Sequence, residues 1–98
     1  MPAPPVLSES QIRQELNTLQ GWELKESEIA KLYKFKDFKE ALGFVNRIAD
    51  LAEEADHHPD ILIRYNKVTL TLSTHSAGGL TGKDFHLARE IDSPENPA

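Results

Sequence analysis

Two runs of β-prone residues, 61–65 and 68–72, are separated only by Asn66 and Lys67, and this spacing strongly constrains the fold. Asn tolerates the positive φ that a two-residue type I′ turn requires, so the pair predicts a hairpin. Because side chains alternate along a strand, the hairpin aligns three apolar pairs on one face of a sheet. These pairs are Tyr65 with Val68, Ile63 with Leu70 and Ile61 with Leu72.

The same register, continued beyond the strands, brings His75 towards the adjacent pair His57 and His58. Pro59 interrupts regular pairing there, so the prediction is proximity rather than a contact. Histidine has an unperturbed pKa of about 6.5 and exchanges protons near neutral pH. Acidic side chains crowd the same region, at a helix end where the helix dipole disfavours negative charge. A local violation of this kind is typical of functional sites.

The remaining patterns predict the element order α-β-β-α-β-β-α in one domain, 1–98. Capping signals at Ser8, Asp37 and Thr81 precede helical spacings of apolar residues. Consecutive hairpins imply a four-stranded antiparallel sheet, and three helices on one of its faces give an α+β two-layer sandwich. The proline-containing ends, 1–7 and 92–98, are expected to be flexible.

Composition excludes several classes of function. The net charge of −5 argues against binding to nucleic acid. The chain has no cysteine, which excludes disulfides, thiolate catalysis and cysteine metal ligands. Its longest uninterrupted apolar run is Ile61–Ile63, far shorter than a membrane span. Without a signal-peptide pattern at the N-terminus, a cytoplasmic location is expected.

Other chemistries for the histidines receive weaker support. The three imidazoles offer enough nitrogens for zinc, but adjacent histidines diverge on a regular backbone and no zinc-binding motif is present, so no metal is expected. A purely structural role, with His58 capping the helix end, is the better interpretation for any single histidine. Convergence of three imidazoles with carboxylates favours function. His86, alone on the last helix, is expected at the surface.

Four motifs together resemble pterin-4a-carbinolamine dehydratase, and the similarity covers most of the chain. They are Glu53-x-x-Asp56-His57-His58-Pro59, Tyr65-Asn66-Lys67-Val68, Leu72-Ser73-Thr74-His75 and Gly79-Leu80-Thr81-x-x-Asp84. Some members, including the animal enzymes, carry an aromatic residue two positions after the proline. Here that position is Ile61, so the resemblance does not extend to stacking of a pterin ring on this side.

The resemblance implies dehydration of 4a-hydroxytetrahydropterin, the product of aromatic amino-acid hydroxylases, to quinonoid dihydropterin without any cofactor. It implies catalytic roles for His57, His58 and His75, with Asp84 orienting the imidazole of His75. It also implies that other residues line the site or position the substrate, namely Glu53, Asp56, Ser73 and Thr74. A homodimer or homotetramer is expected, with a hydroxylase as a functional partner.

The sequence leaves two alternatives open. Animal members of the family also act as dimerisation cofactors of a transcription factor, and some relatives are assembly chaperones, so a non-catalytic binding protein is one alternative. The other is an enzyme acting on a different pterin, such as a molybdopterin-type compound. The retained histidines favour an enzyme over a binding protein, and the sequence does not separate the pterins.

Overall fold

A computed structural model describes residues 5–93 and confirms the α+β fold and its element order. The elements are α1 (Glu9–Leu16), β1 (Glu23–Lys25), β2 (Glu28–Lys34), α2 (Phe38–Ala55), β3 (Asp60–Arg64), β4 (Lys67–Leu72), the 3-10 helix η1 (His75–Ala77) and α3 (Gly82–Ile91). None of the helices in this part of the chain is long and apolar enough to cross a membrane. The outermost residues of both predicted flexible ends, 1–4 and 94–98, lie outside the described residues.

The four strands form one antiparallel sheet in the order β1-β2-β4-β3, with helices over a single face. Alternation along β4 places Val68, Leu70 and Leu72 on the covered face, where each is fully buried. They belong to one apolar core with Phe44 of α2 and Phe85 of α3. On the other face, Leu32 and Leu62 keep 52 % and 55 % of their surface exposed. The helices therefore cover one face, and the other remains open to solvent.

The first two helices begin at the predicted caps, but only one of these caps is a complete capping box. At α1, Ser8 Oγ accepts from the Gln11 N–H at 3.2 Å, and Gln11 Oε1 accepts from the Ser8 N–H at 2.8 Å. At α2, Asp37 accepts from the Glu40 N–H at 2.9 Å, yet the Glu40 carboxylate accepts from the N–H of Lys36. The predicted capping box at α2 is therefore half formed.

The predicted register of the β3–β4 hairpin is wrong by two residues. The turn residues are Tyr65 and Asn66, and the left-handed conformation falls on Tyr65, with φ of 54°. The reason is a long-range contact, because Asn66 O accepts from the Phe35 N–H at 2.8 Å and Asn66 Nδ2 donates to Phe35 O at 2.9 Å. The aligned apolar pairs are Ile63 with Val68 and Ile61 with Leu70. Since a shift of two residues preserves the face, Val68 and Leu70 still point to the core, whereas Ile61 of β3 keeps 37 % of its surface exposed.

Both predicted flexible ends contain residues that are bonded to the domain. Near the N-terminus, the Leu7 N–H donates to Leu80 O at 2.8 Å. After α3, the Asp92 carboxylate accepts from Trp22 Nε1 at 2.7 Å and from the Tyr33 hydroxyl at 2.6 Å. Asp92 thereby ties the end of α3 to the sheet.

Candidate active site

The C-terminal end of α2 sends two adjacent histidines into different surroundings. Asp56 ends the helix in the left-handed conformation, with φ of 50° and ψ of 43°, which few residues other than glycine adopt. The His57 N–H donates back to Ala52 O at 3.1 Å, so the chain reverses over the last helical turn. As a result His57 is buried, whereas the side chain of His58 is 57 % exposed.

The buried imidazole of His57 is held by a buried carboxylate. Asp84 Oδ1 lies 2.6 Å from His57 Nε2, and the Asp84 side chain has no exposed surface. Its second oxygen, Oδ2, accepts from the Thr74 hydroxyl at 2.8 Å and from the Thr81 N–H at 2.9 Å. Asp84 occupies this position because it completes the capping box that Thr81 opens at the start of α3. One carboxylate therefore starts a helix and binds a histidine.

This arrangement determines which nitrogen of His57 can exchange protons. The Asp84 carboxylate faces His57 Nε2, the Thr74 hydroxyl and the Thr81 N–H. Because an ionised carboxylate only accepts hydrogen bonds, Nε2 of His57 carries the hydrogen and donates it. In the described residues, every buried polar side-chain atom has a hydrogen-bond partner, and no partner is present for Nδ1. Nδ1 is therefore accessible to solvent, and it is the nitrogen available to a ligand.

His58 has its own carboxylate, in an exposed position. Its Nε2 lies 2.5 Å from Glu53 Oε2, and the side chain of Glu53 is 76 % exposed. Glu53 belongs to the last turn of α2, one turn before the reversal at Asp56. Two adjacent histidines are thus oriented by two different carboxylates, one buried and one in solvent.

His75 reaches the site from the other side, at the start of η1. An isolated bridge between Thr74 and Gly79 closes the loop that follows β4, and Gly78 within it has φ of 77°. His75 is exposed and faces the end of α2 across a cleft of about 380 Å³. The residues lining this cleft are Asp56, His57, His58, Ser73, Thr74, His75, Ser76 and Lys83. The structure thus brings the three histidines to one concave surface.

The family model described as pterin 4 alpha carbinolamine dehydratase matches residues 5–94. The chain belongs to this family.

Relatives and solved structures extend the match over nearly the whole chain. A Sulfurisphaera tokodaii protein is 50 % identical over 86 residues, covering 88 % of this chain and 92 % of its own length. A Roseiflexus castenholzii protein is 53 % identical over 87 residues, covering 89 % and 94 %. Both are named pterin-4-alpha-carbinolamine dehydratases, and in both names the assignment is marked as provisional. A crystal structure from Brucella melitensis, described as a transcriptional coactivator/pterin dehydratase, superposes with a TM-score of 0.86 at 40 % identity, covering 90 % and 96 %.

A more distant structure shares only the fold. It is a pterin dehydratase-like protein described as a RuBisCO assembly factor of the alpha-carboxysome, with a TM-score of 0.61 at 22 % identity, covering 79 % of this chain and 89 % of its own. The family fold therefore occurs in a protein described by an assembly role.

Within the carbinolamine dehydratase fold, most of the proposed site residues come together. The cleft is lined by the three histidines and by Asp56, Ser73 and Thr74. Glu53 and Asp84 do not line it but bind the histidines that do. One predicted placement is wrong, because Asp84 contacts His57 and not His75. The capping box and the Thr74 hydroxyl both hold Asp84 Oδ2, so Oδ1 is left for His57.

Sequence reasoning missed Ser76 and Lys83, which also line the cleft. Lys83 immediately precedes Asp84 in the family motif, at a position that the motif leaves open. Its position in the first turn of α3, beside Asp84, is the sequence signal that predicts its presence at the site.

The described residues contain no cluster of three or more histidine, aspartate or glutamate side chains arranged to hold a metal ion. The Nε2 atoms of His57 and His58 face separate carboxylates.

Proposed function

We propose that this chain dehydrates a 4a-hydroxytetrahydropterin to the quinonoid dihydropterin by histidine acid-base catalysis. The observation that carries the proposal is the meeting of His57, His58 and His75 at one cleft, with His57 fixed by buried Asp84. Membership of the carbinolamine dehydratase family supports the same activity.

The reaction needs only proton transfers. The bond between carbon 4a and its hydroxyl oxygen breaks, the oxygen takes up a proton, and a pterin nitrogen loses one as a carbon–nitrogen double bond forms. Water leaves, and the single reactant is neither oxidised nor reduced overall. One imidazole protonates the hydroxyl while another removes the nitrogen proton, each contributing about 10²–10⁴-fold to the rate.

The role of each residue in the proposed reaction follows from its surroundings. His57 presents Nδ1 while Asp84 fixes its tautomer, and His58 is oriented by Glu53. Asp56, Ser73 and Thr74 line the cleft and position the substrate. The proposed physiological role is recycling of the pterin cofactor of aromatic amino-acid hydroxylases, by a cytoplasmic homodimer or homotetramer.

The test is the decay of 4a-hydroxytetrahydropterin generated in place by a hydroxylase, followed spectroscopically with and without the protein. His58→Ala and His75→Ala should each slow dehydration by at least tenfold. Both side chains are exposed, so their removal leaves the core intact. Gln14→Ala, on the exposed side of α1, is the matched control and should keep the wild-type rate.

Folded protein that fails to accelerate the decay would refute the proposal. Wild-type rates in both histidine variants would keep the activity but refute the assigned residues. Sedimentation of the wild-type protein tests the proposed oligomer separately.

A second candidate is a protein-binding role. It is favoured by the exposed leucines, Leu32 and Leu62, which flank Thr69 on the open face of the sheet. In that case Leu32→Ser would abolish the binding activity, and the histidine variants would not affect it.

A further inference from the structure

Two buried threonine hydroxyls lie behind the histidine cleft, next to Asp84. Thr81 has no exposed surface and Thr74 is 4 % exposed. Their hydroxyl oxygens are 2.8 Å apart. Thr74 Oγ1 is also 2.8 Å from Asp84 Oδ2, and Thr81 Oγ1 accepts from the Lys83 N–H at 3.2 Å. A chain of hydrogen bonds therefore connects the first turn of α3 with the carboxylate that binds His57.

The chemistry of its members gives this chain a single direction. A threonine hydroxyl has one hydrogen, and an ionised carboxylate only accepts hydrogen bonds. Thr74 therefore donates to Asp84 Oδ2, which leaves its oxygen to accept from the Thr81 hydroxyl. Thr81 in turn accepts from the Lys83 N–H. Every donor points towards Asp84, and each hydrogen bond in such a chain polarises the next.

We propose that Thr81 is a positioning residue for the reaction, which acts through Thr74 and Asp84 to keep His57 in the tautomer with its hydrogen on Nε2. Since Thr81 is fully buried, it cannot touch a ligand in the cleft and can act only through its neighbours. This inference rests on the proposed function, because it gives Thr81 a role in that reaction.

The tautomer matters because Nδ1 is the nitrogen of His57 that is available to a ligand. With the hydrogen on Nε2, Nδ1 has a free lone pair and can take up a proton. In the other tautomer, a lone pair on Nε2 would face the carboxylate of Asp84, and two acceptors repel each other. Asp84 therefore selects the first tautomer as long as Oδ1 stays turned towards Nε2.

The threonines fix the rotation of this carboxylate. The Thr74 hydroxyl and the Thr81 N–H both donate to Oδ2 of Asp84, so Oδ1 is directed to His57. The Thr81 hydroxyl occupies the oxygen of Thr74 and so keeps the hydrogen of Thr74 aimed at Asp84. Without it, the Thr74 hydroxyl is free to rotate, and one of the two constraints on the carboxylate is weakened.

Nitrogen NMR of the histidine rings in the ligand-free protein and steady-state dehydration kinetics test the inference together. The signals of His57 are identified by their absence from His57→Gln. At a pH where the ring is neutral, the wild type should carry the hydrogen on Nε2. Thr81→Val should mix the two tautomers and lower kcat at least threefold, with KM within twofold, because no contact with the substrate is removed. Thr81→Ser keeps the hydroxyl and should restore both measurements.

Thr74→Val breaks the chain one bond further on and does not touch the cap of α3. It should mix the tautomers more than Thr81→Val does, since Asp84 then loses a donor directly. The double variant Thr74→Val/Thr81→Val should be no slower than Thr74→Val alone, because Thr81 acts through Thr74.

Ser8→Ala is the control for the loss of a helix cap. Ser8 caps α1 as Thr81 caps α3, and α1 contributes no residue to the cleft. Its removal should leave the tautomer of His57 and kcat as in the wild type. A change of the same size in Ser8→Ala would assign the effect of Thr81 to its cap and refute the inference.

Three further results would overturn the inference. They are an unchanged tautomer in Thr81→Val, a serine variant as impaired as the valine variant, and a double variant whose loss equals the product of the single losses. If Thr81→Val does not fold, an unchanged tautomer in Thr74→Val refutes the inference instead. A wild type with the hydrogen on Nε2 but no dehydration would refute the proposed function, whereas a wild type that dehydrates with the hydrogen on Nδ1 would refute the inference alone.

Discussion

Asp84 joins His57 to the start of α3: one carboxylate oxygen lies 2.6 Å from His57 Nε2, and the other accepts from the Thr81 N–H at 2.9 Å. Asp84→Asn replaces one acceptor oxygen by a donor, so one of these contacts is lost inside the core. Leaving a buried polar group unpaired costs about 1–3 kcal/mol. We expect that loss in the free energy of urea unfolding, together with at least a tenfold loss of dehydration.

Glu53→Gln is the matched control, since Glu53 also binds a histidine but in solvent. Exposed pairs contribute about 0–1 kcal/mol, so its unfolding free energy should change less than that of Asp84→Asn. Equal destabilisation by the two variants would contradict the role of burial.

Asp56→Gly should stabilise the fold by about 0.5–1 kcal/mol. Asp56 is in the left-handed conformation at the end of α2, where glycine has no Cβ penalty. Removing a negative charge from a helix C-terminus adds to the gain. Asp56→Ala removes the charge and keeps the Cβ, so the difference between the two variants in urea isolates the backbone effect. A glycine variant less stable than the alanine variant would show that no strain is stored there.

Tyr33 should make the fold sensitive to alkaline pH. Burial, then the hydrogen bond to Asp92 and the negative charge of Asp92, raise the pKa of Tyr33 well above its usual value. Above pH 10 the unfolded chain loses this proton and the folded chain keeps it, so stability is present below about pH 10 and falls above it. The slope from this group is about 1.4 kcal/mol per pH unit.

Tyr33→Phe tests this linkage when thermal unfolding is measured from pH 8 to pH 11. The variant should be less stable than the wild type at pH 8, because it loses the hydrogen bond to Asp92, and the difference should shrink above pH 10. A constant difference across that range would refute the linkage.

Lys67→Glu should stabilise the sheet. Lys67 of β4 lies opposite Lys34 on one side and Arg64 on the other, and the structure shows no ion pair for these three among residues 5–93. Opposed like charges are unfavourable, each pair by about 0.2–1 kcal/mol. We expect a gain of about 0.5–1 kcal/mol at low salt, decreasing as salt screens the charges.

Lys25→Glu is the reverse control for this prediction. Lys25 lies opposite Glu28, so the same substitution creates a like-charged pair on the β1–β2 hairpin. It should destabilise the fold. Stabilisation by both substitutions would point to an effect other than pairing across the strands.

The element order was predictable because its signals are local. Ser8 begins α1 through a residue three positions away, and apolar alternation marks the covered face of β4. The hairpin register was not predictable, because Asn66 bonds to Phe35, 31 residues away, and this contact moves the turn back by one residue. A turn can be read from its own sequence only when nothing distant competes for it.

The candidate site was also predictable in part: the approach of the histidines was predicted, but the partner of His57 was not. The continued hairpin register predicted that His75 would approach His57 and His58, and all three line one cleft although the register is shifted by two residues. The pairing of His57 with Asp84 spans 27 residues and depends on the direction in which a helix cap points its side chain. Lys83 was not predicted because the motif leaves its position open, although the first turn of α3 places it at the cleft.

The double attachment of Asp84 gives the site residues unequal freedom to diverge. A lineage released from catalysis could replace exposed His58 or His75 without disturbing the core, whereas replacing Asp84 would also remove half of the capping box of α3. Genetic drift should therefore erase the exposed imidazoles first and the buried carboxylate last. A descendant that kept the carboxylate after losing the exposed histidines would retain a trace of the ancestral chemistry in its helix cap.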